Sequence, residues 1–474
     1  MELRSAEFLA SADRALADDG DGALARELVG AFAPPLRSAA AEAFGDFDAL
    51  RAHLQRVRRH SLDNLAVYLE QFLTEAEANG NTVHFAGDPE TMNRRVADIC
   101  ARHGARRLIK GKSMVTEETG LNAHLAGAGY RVRETDLGEY IIQEAGETPS
   151  HIVGPALHKT EAEIRDLFLD RHPLGPRELD SAAAMVAEAR QVLRDDFLDA
   201  DVGIIGANAL IAENGYSLLV TNEGNGDLCA NLPPVLIVCT TVDRLLPRMT
   251  DAMAMLRLLA RSTTGQAMTC YTSFYSGPRR DDDGDGPRET HFVLLDNRRS
   301  ELLASDYSDM LQCIRCGACL NHCPIYVAAG GHAYGWVYPG PMGSVLTPLL
   351  TSLEESHLLP NACTACGRCA EVCPANIPLP DLLRDLRREE REQRLSPARW
   401  RHGLRLHARL LRHPWLYRRL TALAMGCLAL LARRRGRLRR APLAAGWSSE
   451  RDFPAPSGST FMRRYRGPVS APPP

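Results

Sequence analysis

At 474 residues, 45% hydrophobic and 24% charged, the chain has the composition of a soluble globular protein with room for two or three domains, and composition alone suggests no membrane span. The formal net charge is only −3, yet residues 381–440 hold eighteen Arg against five Asp or Glu, a local balance of +13 against −16 elsewhere. An acidic protein, an anionic membrane surface or nucleic acid would each suit that tail, and charge does not choose among them.

The opening stretch MELRSAEFLASADRALADDGDG is acidic and lacks the positive n-region and apolar core of a secretory signal, so a cytoplasmic location with free thiols is expected. Residues 1–80 read as an Ala-rich N-terminal helical segment. Its clearest helix runs from Ser61 to Ala78, where Leu62, Leu65, Leu69, Phe72, Leu73 and Ala76 recur at helical spacing before Asn79-Gly80.

Residues 81–300 alternate short apolar runs with helices, the pattern of an α/β sheet. Strands are expected at Val83–Ala86, Arg107–Ile109, Val202–Ala212, Ser217–Thr221, Val235–Thr240 and His291–Leu295. Helices begin near Asp88, Thr160, Asp180 and Thr250, with Thr160 and Glu163 forming a capping box. Asp281 to Gly286 imitates a calcium loop, but its twelfth position is Phe292 rather than a bidentate Glu, so a solvated turn is expected.

Of 56 basic residues only Lys110, Lys112 and Lys159 are lysines. Either Arg-rich codon usage left three survivors, or a compact ammonium is needed in this stretch. Lys110 and Lys112 follow a strand and precede a helix carrying Glu117 and Glu118, where amides and ammonium groups would converge on a carboxylate. Asn222, Glu223 and Asn225 occupy another strand-end loop, the ligand side of open α/β sheets. Glu223 would serve as proton acceptor for a hydroxy acid. Glu223, Lys110 and Lys112 are thus the candidate catalytic residues; the competing reading makes them turn and cap residues. No Rossmann glycine fingerprint or P-loop is present.

Residues 301–385 carry two copies of one pattern, Cys313-x2-Cys316-x2-Cys319-x3-Cys323-Pro324 and Cys363-x2-Cys366-x2-Cys369-x3-Cys373-Pro374. Zinc ribbons use four thiolates in all, which leaves the duplication unexplained, and structural disulfides belong to oxidising compartments. The pattern is that of two [4Fe–4S] clusters. In two-cluster ferredoxins the last Cys of each run ligates the other cluster. The expected sets are therefore Cys313, Cys316, Cys319 with Cys373, and Cys363, Cys366, Cys369 with Cys323. Arg315 and Arg368 lie inside the loops, either facing solvent or raising a cluster's potential. Tyr334, Trp336 and Tyr338, in the turn-rich insert, would pack beside a cluster or form ordinary core. Cys100, Cys229, Cys239, Cys270 and Cys427 are scattered and read as buried small hydrophobes.

Residues 386–450 form a basic helical region with an uncharged run, Leu420 to Ala432, too short to span a bilayer; a docking helix and an interfacial helix both fit. Residues 451–474 read as a disordered tail.

Together these motifs resemble the lactate-utilization protein B family over nearly the whole length. The matching strings are Lys110-Gly111-Lys112-Ser113-Met114-Val115-Thr116-Glu117-Glu118, Gly138-Glu139-Tyr140-Ile141-Ile142-Gln143, Pro149-Ser150-His151-Ile152-Val153 and Thr221-Asn222-Glu223-Gly224-Asn225, followed by the paired cysteine runs. Where the family's Asn-Glu-Gly-Asn string usually continues with a basic residue, Asp227 follows Gly226 here. The resemblance implies an α/β LUD domain, similar to the sugar-phosphate isomerase and coenzyme A transferase fold, followed by an α-helical two-[4Fe–4S] ferredoxin domain. It also implies an electron-transfer subunit that works with two partners, a cysteine-rich protein and a second LUD-domain protein, to oxidise L-lactate to pyruvate and allow growth on lactate. Two other readings stay open: a self-contained iron–sulfur oxidoreductase acting on another 2-hydroxy acid, and a non-enzymatic iron–sulfur binding or sensing protein with a basic tail. The basic region would dock on protein or at the inner face of the membrane, with nucleic acid disfavoured.

Overall fold

The computed structural model describes residues 2–17, 28–433, 435–439 and 451–465. They divide into two compact units, 1–390 and 391–474.

Among the described residues, the first unit contains ten strands: β1 (Thr82–Ala86), β2 (Arg107–Lys110), β3 (Arg131–Glu134), β4 (Val202–Ile205), β5 (Ala209–Ile211), β6 (Tyr216–Thr221), β7 (Val235–Thr241), β8 (Leu245–Leu246), β9 (Tyr271–Tyr275) and β10 (Glu289–Leu295). Six of them form one parallel sheet in the order β1-β10-β7-β4-β2-β3. The central strands β7 and β4 are buried along their whole length, which is why they read as unbroken apolar runs rather than alternating ones. The edge strand β3, Arg-Val-Arg-Glu, carries no such run, and charge on an edge is what keeps it from pairing further.

The run Val202–Ala212, expected as one strand, is two strands in different sheets. The chain leaves the parallel sheet at Gly206-Ala207-Asn208, where the Asn208 side chain accepts the Val220 N–H (3.0 Å). β5 then pairs antiparallel with β6 and parallel with β8, completing a second sheet ordered β8-β5-β6-β9. Gly203 in β4 has to be glycine, since a Cβ there would lie 1.9 Å from the Cys229 carbonyl oxygen. This close approach seats the helix Asn225–Asn231 directly on β4.

The expected helix Ser61–Ala78 is also interrupted. Helices Phe47–Asp63 and Leu65–Ala78 meet at Asn64, whose φ of −117° is non-helical. The helices expected near Asp88, Thr160 and Asp180 begin where their caps indicate, at Pro89, Glu161 and Ala182. The cysteine-rich segment is built from short helices around the fully buried helix Gly340–Leu350. Its core includes Phe8, Leu62 and Ile152, so the N-terminal segment and the sheet domain pack against it. Tyr334, Trp336 and Tyr338 are part of that core. Of the five scattered cysteines, Cys100, Cys229 and Cys239 are buried, but Cys270, before the edge strand β9, and Cys427 are exposed.

The second unit contains helices Ala398–Leu411 and Pro414–Ala432. The latter starts well before the uncharged run, at Pro414 in its first turn. Its 19 residues have a mean hydropathy of 1.2, long and apolar enough to cross a membrane, in contrast to the expectation from Leu420–Ala432 alone. Residues 451–465, expected to lack structure, include Phe453–Pro454 paired with Arg437–Leu438 and a helical turn Phe461–Arg464; residues 466–474 lie outside the described part.

Candidate metal centre

The two cysteine runs fold into loops of one backbone shape. In the first, Arg315 and Gly317 take left-handed φ angles of 55° and 85°; in the second, Ala365 and Gly367 take 56° and 82°. Left-handed residues between the cysteines turn backbone N–H groups toward the concave side, a nest suited to an iron–sulfur core. The Arg315 N–H donates to Cys313 Sγ (3.4 Å) and the Ala365 N–H to Cys363 Sγ (3.2 Å). After each glycine a short helix begins, Ala318–Asn321 or Arg368–Val372.

All eight thiols are free, and burial with mutual repulsion sorts them into two groups. Burial, then Cys373 and Cys313, pushes Cys316 up to about 12. Burial and the neighbours Cys313, Cys316 and Cys373 push Cys319 well above the usual thiol range. In the other group, burial lifts Cys323 and then Cys363 and Cys366 add to it, while Cys369 is pushed up to about 12 by burial and by Cys363, Cys323 and Cys366. The last cysteine of each run thus lies beside the first three of the other. Cys319, Cys369 and Cys373 are buried, and a cation among such crowded thiols would favour their thiolate forms. Donors that are all sulfur, ringed by inward-facing amides, fit an iron–sulfur cluster.

Around the Cys313 group the protein is rich in arginine. Arg244 donates to the Cys313 carbonyl (2.9 Å) and Arg51 to the Cys373 carbonyl (2.8 Å), while Thr263 donates its hydroxyl to the Cys316 carbonyl. Behind them, Arg58 donates to four backbone carbonyls, among them Leu311 (2.7 Å) and Leu245 (3.0 Å). Arg299 pairs with Glu118 (2.7 Å) and Asp243 (3.1 Å). Tyr338 also donates to Glu118 (2.5 Å), and the Arg315 guanidinium lies over the Tyr338 ring (4.9 Å). Burial would raise the Asp243 carboxyl, but Arg244, Arg299 and Arg315 outweigh it and hold the group below the usual range.

Next to this group lies a cavity of about 290 Å³. It opens at the C-terminal ends of β2 and β4, the point where the sheet order reverses direction and where ligands of open α/β sheets bind. Gly111 and Lys112 come from the end of β2, Gly206 and Asn208 from the end of β4, and Thr221, Asn222, Glu223 and Asn225 from the end of β6. Ile314, Arg315 and Cys316 close it. A larger cavity, about 740 Å³, is lined by the N-terminal helix and Gly330 to Ala333 but by none of the cysteines.

Two of the three candidate catalytic residues therefore share the cavity, and the third does not. Lys112 lines it and donates to the Val153 carbonyl. Glu223 lines it and accepts the Leu137 N–H (3.3 Å); burial, then Asp136, raises its carboxyl. Lys110 is fully buried beneath the loop, paired with Glu134 (2.8 Å) and Glu117 (3.2 Å), and its ammonium is a structural counter-charge. Lys159 pairs with Glu147 and Glu163 away from the cavity. Asp227, which departs from the family string, is tied to β9 by Tyr275 (2.8 Å) and Ser273 and does not line the cavity. Sequence reasoning missed Arg244 and Ser113. Arg244 follows the polar C-terminal end of β7, which is a ligand-side position and would have marked it.

With that geometry in view, the chain matches known proteins along its length. Residues 69–295 match the LUD domain family and residues 309–377 the 4Fe-4S dicluster domain family. Lactate utilization protein B of Geobacillus thermodenitrificans is 41% identical over 90% of this chain and 89% of its own length. The protein of the same name from Bacillus velezensis is 40% identical over 91% and 90%. An uncharacterized electron transport protein, YkgF, of Escherichia coli is 39% identical over 89% and 88%.

Proposed function

The chain belongs to the lactate utilization protein B family, and from that premise we propose that it is the iron–sulfur electron-transfer subunit of a system that oxidises L-lactate to pyruvate. The observation that carries this reading is a pair of cysteine loops of one left-handed backbone shape, with Cys323 of the first run sharing a cleft with Cys363, Cys366 and Cys369 of the second. Cys313, Cys316, Cys319 and Cys373 would hold one [4Fe–4S] cluster, and Cys363, Cys366, Cys369 and Cys323 the second. Each cluster, when bound, supplies a one-electron carrier, so the pair matches the two electrons released by a hydroxy acid. The chain's own residues hold the clusters apart from water on one side and set the charge around them.

No two-electron centre is evident in the sequence, so the first step of lactate oxidation belongs to a partner: we assign a cysteine-rich protein and a second LUD-domain protein to that role. The helices Ala398–Leu411 and Pro414–Ala432 leave Trp400, Leu404, Trp415, Leu423 and Leu430 exposed among arginines. This mixture suits an anionic membrane surface at its cytoplasmic face. Sedimentation with anionic vesicles checks that placement, and loss of binding on removing residues 391–474 is the expected result.

The deciding experiment is an anaerobic electron paramagnetic resonance spectrum of the complex from its native host, before and after adding L-lactate. Signals of reduced clusters on addition of lactate are expected. Signals with dithionite but none with lactate would leave the clusters standing and move the electron donor elsewhere.

A further inference from the structure

We propose that the cavity beside Cys316 is a binding site on this chain for a small carboxylate of the 2-hydroxy or 2-oxo acid class. The proposal rests on the reading above for the class of acid; the site itself is carried by this chain's own residues.

Three observations carry it. First, position: the cavity occupies the crevice between β2 and β4, where chain connections leave the sheet in opposite directions and the strand ends are free to contact a ligand. Second, unmet hydrogen-bonding capacity. Three lining residues have a buried polar atom with no partner in the protein: Ser113 Oγ, Thr221 Oγ1 and Arg315 Nε. Buried polar groups are nearly always paired, so three orphans around one cavity indicate a polar occupant. Third, charge: Lys112, Arg244 and Arg315 line the cavity against Asp136 and Glu223. Arg244 is already paired with Asp243 and Arg315 lies over Tyr338, so Lys112, whose ammonium meets the Val153 carbonyl, is the cation offered to a carboxylate.

The remaining chemistry narrows the class. Ser113 and Thr221 hydroxyls can each donate or accept, matching either a hydroxyl or a keto oxygen. Ile205, Leu219 and Leu259 form apolar wall suited to a methyl group rather than a second charge. Glu223 lines the cavity, and its carboxyl, raised by burial and then by Asp136, can hydrogen-bond the hydroxyl of a bound acid. At about 290 Å³ the cavity is at the small end for ligand sites, a size in keeping with a small acid.

Calorimetry on the full chain, purified anaerobically with its clusters, tests this with sodium L-lactate and sodium pyruvate titrated separately and sodium chloride as ion control. Saturable binding of at least one acid is expected, together with a change in the paramagnetic resonance of the dithionite-reduced protein. Binding of lactate alone assigns a hydroxy-acid site, and of pyruvate alone an oxo-acid site. Lys112→Met should weaken binding about ten-fold or more, and Ser113→Ala by less. Absence of heat with both acids, or affinity unchanged in both variants, overturns the proposal. If either variant loses iron, Glu223→Gln replaces it, and an affinity equal to that of the parent chain at every pH also counts against the site. Iron and sulfide content of the same sample tests the cluster assignment separately: acid binding without clusters keeps the site and sinks the electron-transfer reading.

Discussion

The two cysteine loops have the same spacing and the same left-handed positions, yet they face different surroundings. The Cys313 loop lies against the α/β sheet, walled by Arg244 and Thr263 and adjoining the cavity. The Cys363 loop lies near the surface: Thr364, Ala365 and Cys366 are exposed, and Arg387 donates to the Pro360 carbonyl (2.8 Å) and to Cys363 from outside. Local sequence repeats the ligand cradle; tertiary position makes one cradle interior and the other peripheral. In the electron-transfer reading, the peripheral cluster would exchange electrons with a partner and the interior one would sense the arginines and the cavity.

The comparison breaks most readily at the cysteines. Cys316→Ser should cost about half of the bound iron. Cys323→Ser, in the same run, should disturb the resonance signal of the other cluster, the one that Cys363→Ser also removes. If Cys323→Ser and Cys316→Ser abolish the same signal, the crossed assignment is wrong.

The next largest effect concerns the arginine wall. Arg299→Met leaves the buried carboxylates of Glu118 and Asp243 without their shared partner, and denaturant unfolding should show a loss of about 3–5 kcal/mol. No exposed arginine near the Cys363 loop should approach that cost; Arg368→Gln serves as the control. Redox titration sharpens the contrast further. Arg315→Gln should lower the midpoint potential of the interior cluster by on the order of tens of millivolts and leave the peripheral one unmoved.

The smallest effect is a pH dependence on the interior side. Burial, then Glu134, pushes the Glu139 carboxyl up to about 8, from an ordinary value of 4.5. A raised carboxyl contributes stability that is complete below about 4.5 and is lost as pH rises through about 8. Glu139→Gln stays neutral throughout, so unfolding midpoints measured across that window should slope less than in the parent chain.

Much of this was legible in the residues themselves. Gly317 and Gly367 sit where the loops need a positive φ, and the repeated Cys-x2-Cys-x2-Cys spacing sets a backbone that the fold repeats nearly degree for degree. Caps such as Asp88 and Thr160 located helix starts because a side-chain oxygen satisfies an amide only three residues away. These are short-range constraints, and short-range constraints are written in short strings. Of the candidates Lys110, Lys112 and Glu223, the strand-end loops carry Lys112 and Glu223 to the cavity lining.

Other features required partners distant in the chain. Lys110 and Lys112 differ by two residues, yet Lys110 ends β2 and is held among carboxylates by Glu134 across the sheet, whereas Lys112 lies in the loop beyond the strand and lines the cavity. The division of Val202–Ala212 between two sheets depends on Val220, and the cavity itself exists only where the ends of β2, β4 and β6 meet the cysteine loop. The sequence by itself determined the ligand-bearing loops, their conformation and the α/β pattern, because each follows from neighbours within a few residues. Tertiary structure alone decided which loop is interior, which lysine lines the cavity and where the arginines gather, because burial and charge there depend on residues hundreds of positions apart.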